Sequence, residues 1–194
     1  MGQALLIVDM QEMLIPVVWR GEELADRIAA LAQAARDRGV VVVAIQQTGP
    51  AGTPFDPQAP GWQLSARLGA QQTDLRVRKS ATDSFFGTGL AELLAARDVD
   101  TVVVCGVATD YCVDATARSA LSHGLDVVLV SDGHAPVAGG DPHAGLTPEQ
   151  VVDHHNWVLS HAIHPGGRLR SIAAADVFCD PRDSMARSSL DNGC

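Results

Sequence analysis

Short apolar runs punctuate the chain, and longer stretches of mixed polarity separate them. ALLIVDM (residues 4–10), GVVVVAIQQ (39–47), TVVVCGV (101–107) and DVVLVSD (126–132) are continuous, rich in Val and bounded by Gly, Asp or Ser. Continuous rather than alternating apolarity suits strands covered on both faces, the condition inside a parallel sheet. LRVRK (75–79) is a weaker strand candidate, leading into the loop SATDSFFGTGL.

The intervening stretches have helical periodicity. Over residues 22–38, Leu24, Ile28, Leu31 and Ala35 share one face, and Gly39 supplies the stop. Residues 90–97 and 113–122 repeat the plan, the second closing at Gly124. Thr147 as N-cap and Pro148 at the first position start a helix expected to run to about His161. SIAAADV (171–177) is expected to hold a last short strand, 48–61 is a Pro- and Gly-rich loop, and 180–194 reads as a loose tail. Strand–helix–strand alternation predicts a doubly wound α/β sheet with right-handed crossovers, in a single domain over residues 1–179.

Composition narrows the class. With 194 residues the chain can bury a sizeable core without a disulfide or metal staple. Aromatics make up only 4%, so Val, Leu, Ile and Ala must build that core. The 23 acidic against 14 basic residues give a formal charge of −9, which argues against a nucleic-acid or anionic-membrane surface. No apolar run reaches membrane-spanning length, and the start MGQALLIVDMQ shows no basic leader, so a cytoplasmic protein with a small-molecule substrate is expected. Cys105, Cys112, Cys179 and Cys194 are spaced too irregularly for a disulfide framework or a zinc site.

Ligands of open α/β sheets sit beyond the carboxyl ends of the strands. Three reactive side chains are expected there: Asp9 ends the first strand, Lys79 ends LRVRK, and Cys112 follows TVVVCGV by one turn. A helix N-terminus or a nearby cation lowers a thiol's pKa, so Cys112 is expected where ionisation is easiest, with Lys79 as the cation. Asp9 can accept the thiol proton and return it to a leaving amine, while the backbone amides of Ala108 and Cys112 meet the developing oxyanion. His134, just after the VVLVSD run, is a candidate for touching substrate. The plain alternatives are a structural cysteine in a strand–helix turn, an Asp that caps a turn and a Lys on the surface beside Arg76 and Arg78.

LLIVDMQ, the pattern K-x-x-x-x-S-F-F-x-T from Lys79 to Thr88, and GVATDYCV from Gly106 to Val113 together resemble the isochorismatase-like cysteine hydrolases, over roughly residues 5–163. The resemblance implies a three-layer α/β/α sandwich and an Asp–Lys–Cys triad, here Asp9, Lys79 and Cys112. It also implies a non-proline cis peptide between Val107 and Ala108, turning the Ala108 amide towards the oxyanion. By the same resemblance Gln11, Phe85 and Phe86 match pocket-lining positions, and a homodimer or homotetramer is expected. Nicotinamidases of the superfamily hold a metal through an Asp and histidines after the second strand. The corresponding loop here, TGPAGTPFDPQAPGWQ, has no His, so no metal and no cofactor are expected. Isochorismatases that cleave vinyl ethers lack the nucleophilic cysteine. Hydrolysis of a small amide, ureide or lactam through a thioester is therefore the leading expectation. A vinyl-ether hydrolase and a non-catalytic ligand-binding module are the alternatives.

Overall fold

The computed structural model describes residues 2–140 and 145–179; the expected tail at 180–194, with Cys194, lies outside the described residues. Six strands form one sheet: β1 (Gly2–Val8), β2 (Val41–Gln47), β3 (Leu75–Lys79), β4 (Val99–Val107), β5 (Asp126–Ala135) and β6 (Leu169–Ile172). They are parallel throughout and ordered β3-β2-β1-β4-β5-β6. Among the described residues five α-helices flank them: α1 (Gly21–Asp37), α2 (Leu90–Ala95), α3 (Asp114–Ser122), α4 (Pro148–Ser160) and α5 (Ala174–Val177).

The apolar runs have no polar face because each strand is buried twice. In β1, Leu5 and Ile7 pack towards α1 with Ile28, Leu31 and Val103. Leu6 and Val8 pack the other way, with Leu90, Leu94, Ala117, Leu121 and Leu159 of α2, α3 and α4. This is the three-layer α/β/α sandwich. The helix from Pro148 carries a full capping box, in which Thr147 accepts from the Gln150 amide and Gln150 from the Thr147 amide.

Two local expectations are corrected. The last strand is Leu169–Ile172, and the AADV that follows is a short helix rather than part of it. β5 continues through Gly133 and His134 to Ala135, so His134 lies within a strand, paired with Gly106 of β4 after a register shift.

The strand order reverses between β1 and β4. β1 runs on to β2 on one side, and β4 to β5 on the other. A crevice opens beyond the carboxyl ends at such a switch point. Asp9 follows β1 on one flank of it, and Ala108 to Cys112 follow β4 on the other.

Candidate active site

β1 ends in a reversal. Asp9 adopts a left-handed conformation (φ 52°), which its short polar side chain tolerates better than most. Its amide donates to the Ile45 carbonyl at 3.0 Å and its carbonyl accepts from Gln11 at 2.8 Å. Beside it β4 comes unusually close. Gly106 has φ 120°, and a Cβ there would lie 2.1 Å from the Val8 carbonyl oxygen. Only glycine lets the two strand ends approach this way. The Val107–Ala108 peptide is cis. Residues Thr109–Val113 then form a π-turn, closed by the Val113 amide on the Ala108 carbonyl at 3.1 Å, before α3 begins. Cys112 therefore stands two residues ahead of the regular helix.

Lys79 at the end of β3 reaches across to both. Its side chain is fully buried, with Nζ 2.8 Å from Asp9 Oδ2 and 3.1 Å from Cys112 Sγ. The same nitrogen lies 2.8 Å from Gln47 Oε1 and 3.0 Å from the Ala81 carbonyl. An ammonium has three protons, and three oxygens take them. The sulfur is a fourth neighbour. Asp9 Oδ1 is buried without a hydrogen-bond partner among the described residues, so it is the acceptor left for a proton on sulfur.

Electrostatics correct one expectation. Burial pushes the Cys112 thiol up to about 12, and the Asp9 carboxylate adds to the rise, more than Lys79 offsets. Burial likewise raises the Asp9 carboxyl, against the pull of Lys79. The thiol is thus not poised to ionise by its helix end. A carboxylate oxygen left open beside such a thiol can accept its proton.

Gln47 is a site residue that inspection of the sequence missed. It pairs with Lys79 in the β2–β3 register and presents its side-chain oxygen to the ammonium. Gln11 holds it from below. Its side chain accepts from the Gln47 amide at 3.0 Å and donates to the Trp62 carbonyl at 2.8 Å, while Trp62 Nε1 donates to the Gln47 carbonyl at 2.9 Å.

A cavity of about 380 Å³ opens over the cluster, within the size range of small-molecule sites. Asp9, Gln47, Ala108 and Cys112 form its floor, and Leu14, Val17, Val18, Phe55, Tyr111 and Val137 much of its wall. Four expected contact residues lie elsewhere. Gln11 is fully buried under Gln47. Phe85 packs into the core and stacks on His123 with ring centres 4.7 Å apart, whereas Phe86 is 71% exposed. His134 borders a different cavity, beside Trp19, Arg27 and Asp132.

His134 nevertheless reaches the Thr109–Val113 turn. Nδ1 lies 2.9 Å from Thr109 Oγ1, and Nε2 lies 3.2 Å from Asn156 Oδ1. Asn156 Nδ2 donates to the Ser131 carbonyl, which fixes Oδ1 as an acceptor. Burial lowers His134 to about 4, so the ring is neutral near pH 7 and carries its proton on Nε2. Thr109 must then donate to Nδ1.

Among the described residues no group of three or more His, Cys, Asp or Glu is arranged to hold a metal ion. No helix among them is long and apolar enough to cross a membrane. Cys105 is a buried core residue on β4, and Cys179 is half-buried near α5.

Comparison with known proteins adds to this geometry. Residues 3–162 match the family model described as the isochorismatase domain. A streptothricin hydrolase of Streptomyces noursei is 40% identical over 136 residues, covering 69% of this chain and 49% of that protein. The chain spans about half the length of the streptothricin hydrolases it matches. A maleamate amidohydrolase of Pseudomonas putida is 39% identical over 62 residues, covering 32% of this chain and 29% of that protein. The crystal structure of a cysteine hydrolase from Pseudomonas syringae pv. phaseolicola shares the fold with a TM-score of 0.82 at 24% identity, covering 91% of this chain and 90% of that one.

Proposed function

The chain belongs to the isochorismatase family, and from that premise we propose that it is a cysteine hydrolase cleaving the C–N bond of a small amide, ureide or lactam. One observation carries the reading: beneath the floor of an open cavity, a buried ammonium touches both a carboxylate and a thiol of that floor, 2.8 Å and 3.1 Å away. The resemblance to an amidohydrolase supports the choice of bond.

Asp9 Oδ1 takes the Cys112 proton as sulfur attacks the carbonyl carbon, forming the S–C bond and moving the carbonyl electron pair onto oxygen. The amides of Ala108 and Cys112 meet that oxyanion, and Lys79 holds the carboxylate and sulfur together throughout. The oxyanion collapses, the C–N bond breaks, and Asp9 returns the proton to the departing nitrogen. Water then attacks the thioester with Asp9 as base, and its remaining proton and oxygen complete the acid product while sulfur regains a proton. Buried Asp9 suits both halves, because its raised pKa lets it hold the proton between steps. The same reading takes the enzyme to be a homodimer or homotetramer acting without a catalytic metal.

An amide panel read by ammonia release, with the Cys112→Ala variant as control, tests the activity. Intact-protein and peptide mass spectrometry on a slow substrate should find the acyl group on Cys112. An acyl group on Cys105 or Cys179 instead overturns the mechanism, and light scattering reads the assembly.

A further inference from the structure

The cavity wall carries information about charge. Among the described residues, no arginine, lysine or histidine side chain lines it, and the floor contributes the Asp9 carboxylate. Lys79 lies beneath that floor, fully buried, with its three protons taken by Asp9, Gln47 and Ala81. The Gln47 side chain is likewise occupied by Lys79, and its backbone by Gln11 and Trp62. What remains for a ligand is an apolar wall, from Leu14, Val18 and Phe55 to the half-exposed rim residues Val17 and Val137, together with the hydroxyls of Ser80 and Thr82. Three arginines elsewhere in the fold already have partners: Arg27 pairs with Asp132, Arg67 with Asp26 and Glu22, and Arg78 lies over the Trp62 ring.

A carboxylate entering this cavity would lose water and meet no lining cation among the described residues, above an Asp9 carboxylate already paired with Lys79 and in the field of a chain with net charge −9. Burial of an unpaired anion is among the costliest events in a binding site. Apolar surface, in contrast, is favoured there, and the neutral hydroxyls can orient an amide without demanding charge. We propose that the pocket over Cys112 selects amides whose non-reacting part is apolar and bears no carboxylate. This rests on Cys112 being the nucleophile, as argued above.

Two alkylating reagents of nearly equal size separate the possibilities, iodoacetamide and iodoacetate. Each transfers its CH₂ carbon to sulfur with loss of iodide, while the thiol proton passes to Asp9 or solvent. They differ in presenting an amide or a carboxylate to the cavity. Rates at Cys112, followed by peptide mass spectrometry and divided by those for 2-mercaptoethanol, should favour iodoacetamide by at least about tenfold, as like-charge juxtaposition dictates. The Val137→Arg variant places a cation at the rim and should shrink that preference several-fold by accelerating iodoacetate. Equal normalised rates, or faster reaction of iodoacetate, overturn the charge selection while leaving the nucleophile assignment intact. Labelling of Cys179 with Cys112 untouched by either reagent overturns that assignment, and the selection with it.

Discussion

Two buried polar clusters flank the turn that carries Cys112, and they differ in how completely their hydrogen bonds are satisfied. On the β5 side, the His134 ring nitrogens face Thr109 and Asn156, and Asn156 is also held by Ser131 and Ser171. On the β1 side, Lys79 has four acceptor neighbours for three protons, and Asp9 Oδ1 has no partner among the described residues. Both clusters cost desolvation, but only the second keeps an acceptor open and a proton in dispute. A closed network holds a turn in place. An open one, under a cavity, is able to react.

The contrast breaks most severely at sulfur. Cys112→Ala should lower turnover at least about 10⁵-fold with the fold retained, measured by steady-state kinetics and circular dichroism. At the carboxylate, Asp9→Asn should cost about 10³-fold or more in turnover through loss of the base. The same carboxylate oxygen is the acceptor left for the thiol proton, so alkylation of Cys112 by iodoacetamide at pH 7.5 should slow as well. A fall in both turnover and thiol reactivity is the signature of the base; lost turnover with alkylation unchanged or faster rejects Asp9 as acceptor of the thiol proton. Lys79→Met leaves Asp9 buried and unpaired, and urea denaturation should register a loss of about 3–5 kcal/mol.

The satisfied cluster should respond least, and at acid pH. Folded His134 resists protonation until about pH 4, whereas in the unfolded chain it takes up a proton near 6.5. The unfolded state therefore binds more protons within that window, so stability is complete above it and falls as the pH drops through it, by about 3 kcal/mol in all. His134→Gln keeps both hydrogen bonds without the titration. It should flatten this acid limb and leave turnover at pH 7.5 within about threefold of the parent. A variant with the parent's acid limb shows that other groups carry it.

Legibility in the sequence followed the range of the interaction. β1, β2, β4 and β5 could be read directly because burial on both faces leaves an unbroken apolar run, and the helix starting at Pro148 announces itself by Thr147 as N-cap and the proline at its first position. LRSI could not, since Arg170 and Ser171 interrupt its apolarity and the Ala-rich segment beyond it looks equally extended. Asp9, Lys79 and Cys112 stood out as reactive side chains at strand ends. Gln47 did not, because its meaning depends on the β2–β3 register, which no local pattern encodes. Phe85 and Phe86 are adjacent and chemically alike, yet one is stacked in the core and the other faces outward, a distinction made by packing alone. The thiol's basicity was misjudged for the same reason. Position at a helix start is local, but the desolvation that raises the thiol comes from the surrounding fold.

Lys79 terminates a border strand: β3 has a single hydrogen-bonded neighbour, β2, and its other side is unpaired within the sheet. Border strands fray more readily than central ones. The ammonium, hooked onto Asp9, Gln47 and the Ala81 carbonyl, fastens this strand's carboxyl end across the crevice. Deuterium uptake at the β3 amides thereby becomes a clock for the site, since each excursion that unzips the border also carries the cation away from the sulfur.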